Sequence, residues 1–207
     1  MIAFEVAPGV RFWPGRLSAT DQAALLGEVM SRVADAPFFR PTMPGTGKNF
    51  SVEMTNFGPL GWVSDQRRGY RYERVHPVTG IAWPQIPQSL LQLWDEATGY
   101  GAPPEACLVN LYCVGARMGL HKDADEPATD APVLSLSLGD TALFRFGTAS
   151  RGGQTRSLKL DSGDMLMFGG PARMMYHGID RVQAGSSSLV PGGGRINLTL
   201  RRVSPIG

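Results

Sequence analysis

With 207 residues, 43% of them hydrophobic, the chain is long enough for one domain with a sizeable core and too short to favour two. Its 20 Lys and Arg against 18 Asp and Glu leave a formal charge of +2, which excludes a wholesale cationic coat and leaves any anionic partner to a local patch. No stretch of about 18 apolar residues occurs and no basic leader precedes an apolar run, so neither a membrane span nor an export signal is expected, and a cytoplasmic monomer is the expectation.

Ser18, Ala19, Thr20 and Asp21 ahead of Leu25, Leu26, Val29 and Val33 predict a capped amphipathic helix. Residues 40–84 are rich in Gly, Pro, Asn and aromatics without sustained periodicity; they predict short strands joined by long loops, which in a compact domain are often functional. A second helix is predicted to begin near Pro87, to carry Leu90, Leu91 and Trp94 on one face, and to stop at Gly99. From Cys107 onward a period of two appears in 107–114, 133–138, 142–146, 157–160, 165–168 and 195–201. Turn residues at 138–140, 161–164 and 168–171 separate these runs at the spacing of an antiparallel sandwich or jelly roll. The Gly- and Ser-rich segment 185–194 reads as a surface loop of the same domain. The expected fold class is therefore α+β, mainly β. Cys107 and Cys113 fall in one expected strand with Cα atoms roughly 20 Å apart, too far for a disulfide, and reduced thiols fit a cytoplasmic protein.

Three residues have metal-ligating chemistry in a suggestive order. His121 and Asp123, two apart, can point the same way from a strand end, and His177 follows far downstream after a turn-rich stretch. Two imidazoles and a carboxylate form the facial triad that leaves three positions open on a non-haem iron, with zinc as the competing metal. A surface His–Asp pair plus a core histidine is the bland alternative. The chain has only three histidines, and the remaining one, His76, lies in a Pro-containing loop.

In 195–201 the polar residues Arg195, Asn197, Thr199 and Arg201 share one strand face while Ile196, Leu198 and Leu200 share the other. Two arginines facing a barrel-like interior are costly without anions, and a small dianion would satisfy them. They stand about 20 Å apart at strand rise, so they would address opposite ends of such a ligand rather than one carboxylate. Asn110 and Tyr112, also on a common strand face, offer neutral donors to the same anion. A half-exposed edge strand with solvated arginines stays open beside this reading. Trp62, Tyr70 and Tyr72 are interleaved with Arg67, Arg68, Arg71 and Arg74, a mix of stacking faces and cations that suits nucleic acid, against the alternative of core aromatics flanked by a solvated arginine face.

Taken together, Asn110-Leu111-Tyr112, Met118, His121-Lys122-Asp123, Asp125, His177-Gly178 and the run from Arg195 to Arg201 resemble the AlkB family of iron(II)- and 2-oxoglutarate-dependent dioxygenases. The resemblance extends from about Met54 through Arg201 and includes Leu60-Gly61-Trp62 and Gly69-Tyr70-Arg71-Tyr72. It implies a double-stranded β-helix in a single domain, with N-terminal helices and a substrate lid in residues 1–104 and the jelly-roll core in 105–203. It implies Fe(II) held by His121, Asp123 and His177, and 2-oxoglutarate held by Asn110, Tyr112, Arg195, Asn197 and Arg201, with Arg195 on the distal carboxylate. O2 would be the second cosubstrate. Trp62, Tyr70, Arg71, Tyr72, Asp125 and Arg151 would meet the damaged nucleotide, with Arg156 competing for the role of Arg151. The implied activity is oxidative demethylation of 1-methyladenine and 3-methylcytosine in single- or double-stranded DNA, with RNA a further candidate. A hydroxylase acting on a protein or small molecule, and a non-catalytic cupin-like binding module, are the alternatives from other classes.

Overall fold

The computed structural model describes residues 2–150 and 152–206. Strands β1 (Phe4–Ala7) and β2 (Val10–Trp13) form a hairpin ahead of helix α1 (Ala19–Asp35). Ser18 caps this helix: its hydroxyl accepts from the Asp21 amide and the Asp21 carboxylate accepts from the Ser18 amide, so two otherwise orphaned donors are satisfied reciprocally. Next come β3 (Glu53–Phe57), β4 (Gly61–Asp65) and β5 (Gly69–Glu73), and then α2 (Gln88–Thr98), which ends where Gly99 turns left-handed at φ 58°. The buried face of α2 carries Leu90, Leu93, Trp94 and Ala97; Leu91 is only half-buried, because Leu93 and Ala97 share the inward stripe with Leu90 and Trp94.

The remaining strands are β6 (Ala106–Tyr112), β7 (Met118–His121), β8 (Val133–Gly139), β9 (Ala142–Gly147), β10 (Thr155–Leu160), β11 (Met165–Phe168), β12 (His177–Val182) and β13 (Arg195–Arg201). They build a jelly roll from two antiparallel sheets, ordered β1-β2-β11-β8-β13-β6-β3 and β10-β9-β12-β7. A period-two pattern places one side of each strand inward, and the large sheet uses both of its sides. Leu134, Leu136, Leu138, Ile196, Leu198 and Leu200 pack under α1 and α2, while Val133, Leu166 and Phe168 face Phe144, Phe146 and Ile179 of the small sheet. Strands β4 and β5 form a separate hairpin.

Two of these strands were hidden in the sequence. β7 and β12 are short and rich in Gly and His, and each takes its place from its partners rather than from hydrophobic alternation. β6 stops at Tyr112, so Cys113 lies past its end and is exposed while Cys107 is buried; both thiols are free. Residues 185–194 form turns and bends, in keeping with the expected loop. Among the described residues no helix is long and apolar enough to cross a membrane.

Candidate active site

The pairing of β7 with β12 sets His121 directly opposite His177, and the chain returns Asp123 to the same point two residues after β7 ends. The ligand atoms of these three residues lie within 4.8 Å of one another. His121 Nε2 is 3.6 Å from Asp123 Oδ1, and His177 Nε2 is 3.7 Å from Asp123 Oδ2. Each histidine has its Nδ1 against a backbone carbonyl, Gly119 O at 2.9 Å and Met175 O at 3.2 Å. A neutral imidazole donating from Nδ1 presents the Nε2 lone pair to a cation. Gly178 makes the close approach of the strands possible, since a Cβ there would sit 2.5 Å from Met118 O and 2.8 Å from Gly119 O. Phe168 and Phe144 pack on the His177 ring with centroids at 4.7 and 5.9 Å.

Burial lowers the His177 imidazole to about 4 against the pull of Asp123, so it is neutral at neutral pH. Burial would raise the Asp123 carboxyl, but the positive groups around it, the Arg201 guanidinium first, outweigh it and hold Asp123 at about 2. The donor set is thus a carboxylate, a neutral nitrogen on His177 and the His121 nitrogen 3.6 Å from Asp123 Oδ1. Asp123 Oδ2 is buried without a hydrogen-bond partner. An orphaned buried carboxylate oxygen beside two imidazole nitrogens fits a divalent cation, and two imidazoles with one carboxylate are a donor set that suits iron.

Across the interior, β13 lies between β6 and β8, with Arg195 opposite Tyr112 and Asn197 opposite Asn110 and Ser137. Arg195 is 1% exposed; its Nη2 donates to Ser137 Oγ at 3.0 Å, its guanidinium lies 5.3 Å from the Tyr112 ring centroid, and its Nε and Nη1 have no partner. Two unsatisfied N–H donors on a buried cation fit a carboxylate. Asn197 is held by Ser135 Oγ at 2.7 Å and Leu136 O at 3.0 Å, and its Oδ1 accepts from Thr199 Oγ1 at 2.9 Å and Asn110 Nδ2 at 3.4 Å. Arg201 is engaged more fully than its strand face alone suggests. It binds Asp123 Oδ1 at 2.6 Å, Glu126 Oε1 at 2.9 Å and the Tyr72 hydroxyl at 3.3 Å, leaving only Nε without a partner.

On the β4–β5 hairpin, Trp62 is buried, donates from Nε1 to Asp125 Oδ2 at 2.8 Å, and stacks on the half-exposed Tyr70 ring at 5.4 Å and 28°. Phe50 meets its edge at 6.1 Å. Arg71 is consumed by Asp65 and Glu73, each at 2.7 Å, and Arg68 pairs with Glu73 at 3.0 Å. Of the four hairpin arginines, Arg67 and Arg74 make no ion pair among the described residues. Arg151 lies outside the described residues, and Arg156 on β10 reaches Val6 O at 3.5 Å. Sequence reasoning missed Glu126, Arg173, Ser135 and Ser137. The Leu-Ser alternation of β8 could have revealed the serines, whereas Glu126 and Arg173 sit in irregular segments with no periodic signal.

Residues 9–201 match the 2OG-Fe(II) oxygenase superfamily. The chain is 55% identical over 197 residues to the alpha-ketoglutarate-dependent dioxygenase AlkB homolog of Caulobacter vibrioides, covering 95% of this chain and 89% of the relative. It is 41% identical over 182 residues to alpha-ketoglutarate-dependent dioxygenase AlkB of Escherichia coli, covering 86% and 83%. A more distant relative is the DNA N(6)-methyladenine demethylase ALKBH1C of Arabidopsis thaliana, 28% identical over 95% of this chain and 49% of that protein. The solved structure of OsALKBH1 superposes with a TM-score of 0.82 at 28% identity, over 97% of this chain and all of the other.

Proposed function

The chain belongs to the 2OG-Fe(II) oxygenase superfamily and, within it, to the AlkB alpha-ketoglutarate-dependent dioxygenases, and from that premise we propose that it repairs N-methylated bases in nucleic acid by oxidative demethylation. The observation that carries the reading is the presence of two kinds of buried orphan: a carboxylate oxygen in a cluster with two imidazoles, and guanidinium N–H groups on Arg195 and Arg201.

In this reading His121, Asp123 and His177 hold Fe(II), and Asn110, Tyr112, Arg195, Asn197 and Arg201 hold 2-oxoglutarate. Iron with 2-oxoglutarate and O2 supplies the oxidising power that hydroxylates an N-methyl group, with succinate, carbon dioxide and formaldehyde as products. The chain supplies position and charge. Arg195 binds the distal carboxylate, with the Tyr112 hydroxyl and the Asn197 and Asn110 amides completing a polar pocket. Arg201 presents Nε to the metal-side end of the cosubstrate. Phe144 and Phe168 keep water from the face of His177.

On the substrate side, Trp62, Tyr70 and Tyr72 supply ring faces, Arg71, set by Asp65 and Glu73, contacts the damaged nucleotide, and Arg151 is assigned a contact with that nucleotide as well. A base methylated on a Watson–Crick ring nitrogen is cationic and cannot pair normally, so it is more easily extruded than an intact one. Asp125, anchored by the Trp62 indole, offers that cation a carboxylate. The substrates are 1-methyladenine and 3-methylcytosine in single- or double-stranded DNA, with RNA to be tested alongside; the DNA demethylase name of the Arabidopsis relative supports a nucleic-acid substrate. A cytoplasmic monomer completes the reading.

The test is release of formaldehyde from a 1-methyladenine oligonucleotide together with succinate from 2-oxoglutarate, in the presence of Fe(II) and ascorbate, against an unmethylated control. Stoichiometric release from the methylated strand alone supports the reading, and Asp123→Ala should abolish it. Succinate released equally with either strand and no formaldehyde would reject nucleic-acid demethylation and redirect the search to a protein or small-molecule substrate.

A further inference from the structure

Two acidic and two basic side chains meet at the candidate metal site: the ligand Asp123 with Glu126, Arg173 and Arg201, each less than a tenth exposed. Two carboxylates face two guanidiniums, so their formal charges cancel. Glu126 is the hub of the set. Its Oε1 accepts from Arg201 Nη1 at 2.9 Å and from the Tyr72 hydroxyl, and its Oε2 accepts from Arg173 Nη2 at 3.0 Å. Arg201 then spends Nη2 on Asp123 Oδ1 at 2.6 Å, which leaves Asp123 Oδ2 as the oxygen without a partner. Arg173 braces the same segment from behind, donating to Asp123 O at 2.5 Å and Ala131 O at 2.8 Å. Tyr72 is the single member contributed by the β4–β5 hairpin.

We propose that Glu126 is a positioning residue that couples the hairpin to the metal site: through Arg201 it orients Asp123 so that Oδ1 is held by the guanidinium and Oδ2 is left without a partner beside His177, and through Tyr72 it passes the seating of the hairpin to that carboxylate. The inference rests on the reading of His121, Asp123 and His177 as metal ligands. A carboxylate held only by its Cβ can rotate, and an arginine free at one edge can fork both Asp123 oxygens and compete with a cation for them. Glu126 opposes this by holding Arg201 Nη1, which rules out the Nη1/Nη2 fork and fixes the guanidinium where Nη2 meets Asp123 Oδ1 and Nε stays without a partner. A glutamine at 126 would remove the charge and bring an amide donor against Arg173, Arg201 or Tyr72, which present donors to that position. Members of one buried network respond non-additively, so losing the Tyr72 hydroxyl and losing the Glu126 charge should overlap in effect.

The experiment measures Mn(II) affinity of the chelator-stripped full chain, by electron paramagnetic resonance of the free ion, together with the visible ligand-field spectrum of the Co(II) form. The proteins are wild type, Tyr72→Phe, Glu126→Gln and the double variant. Glu126→Gln should bind Mn(II) about tenfold or more weakly, the scale of losing an outer partner of a metal ligand, and should shift the Co(II) bands. Tyr72→Phe should weaken binding by a smaller factor, and the double variant should be no weaker than Glu126→Gln alone. A folded Glu126→Gln with wild-type affinity and spectrum would overturn the proposal, as would single effects that multiply independently. If Glu126→Gln does not fold, Tyr72→Phe decides: an unchanged affinity and spectrum overturns the coupling. Failure of the wild type to bind either ion would sink the metal reading with it, whereas wild-type binding with unaffected variants removes the coupling alone.

Discussion

Arg195 shows how much a single side chain can demand of its surroundings. Its guanidinium is 1% exposed and has a hydroxyl and a ring face for company, with two N–H groups unpartnered, so among the described residues this buried cation has no counter-charge, and the proposed function gives it one in the distal carboxylate of 2-oxoglutarate. Replacing Arg195 with Ala should therefore raise the KM for 2-oxoglutarate by about 30-fold or more, the effect of truncating one partner of a buried charge pair, with a smaller change in kcat. Initial rates of succinate release against 2-oxoglutarate concentration check this, and an unchanged dependence would reject the pairing. In the proposed function Trp62 has the corresponding part on the substrate side. Trp62→Ala removes a stacking face and should raise the KM for the methylated oligonucleotide about tenfold or more. The 2-oxoglutarate KM, measured on the same protein, should stay where it was.

At the scale of elements, the meeting of β7 and β12 decides whether the histidines can cooperate. Their register places His121 opposite His177, and their separation depends on Gly178, where any Cβ would collide with two backbone carbonyls rather than with a side chain that can swing away. Gly178→Ala must push one strand off the other. The expected result is a protein that keeps most of its β circular dichroism yet binds Mn(II) about tenfold or more weakly, because the supporting geometry of a ligand has moved. Equal affinity would mean that the strands relax without disturbing the imidazoles. The β4–β5 hairpin is held differently. Asp65, Arg71 and Glu73 lock its polar side by ion pairs, and Tyr72 docks its other side into the buried charges.

For the whole molecule, one carboxylate closes the end of the barrel. Asp140, just past β8, accepts from the amides of Gly185, Ser187 and Gly194 at 3.2, 3.0 and 3.0 Å and so gathers the loop that feeds β13 and Arg195. Burial would raise its carboxyl, but these amides outweigh that and hold it below its ordinary 3.8. A folded-state value below the unfolded one contributes stability above the ordinary carboxylate range and loses it as pH falls through the lowered value. Asp140→Asn, which turns one acceptor into a donor facing donors, should lower stability to urea by about 2 kcal/mol at neutral pH. The gap to wild type should narrow below about pH 4. A gap that does not change with pH would assign the effect to packing instead of charge.

The residues 195–201 could be read directly, because strand alternation is a local rule and a face carrying two arginines opposite a face of Ile and Leu has few physical solutions. The same holds for α1, whose cap and apolar stripe lie within one stretch of chain, and for the three candidate ligands, whose chemistry is unusual enough to be noticed apart. What the sequence by itself determined, then, is the mainly β architecture, the polar strand faces and the candidate donors. Tertiary structure alone decided which charges are spent. That Asp65 and Glu73 pair with Arg71 is visible only in the fold, and Glu126 is an unremarked acid in an irregular segment until Arg201, Arg173 and Tyr72 converge on it. The physical reason is that alternation and capping act between neighbours in sequence. An ion pair depends on distance in space, and Glu126 and Arg201 are brought together across 75 residues of chain only when the barrel closes.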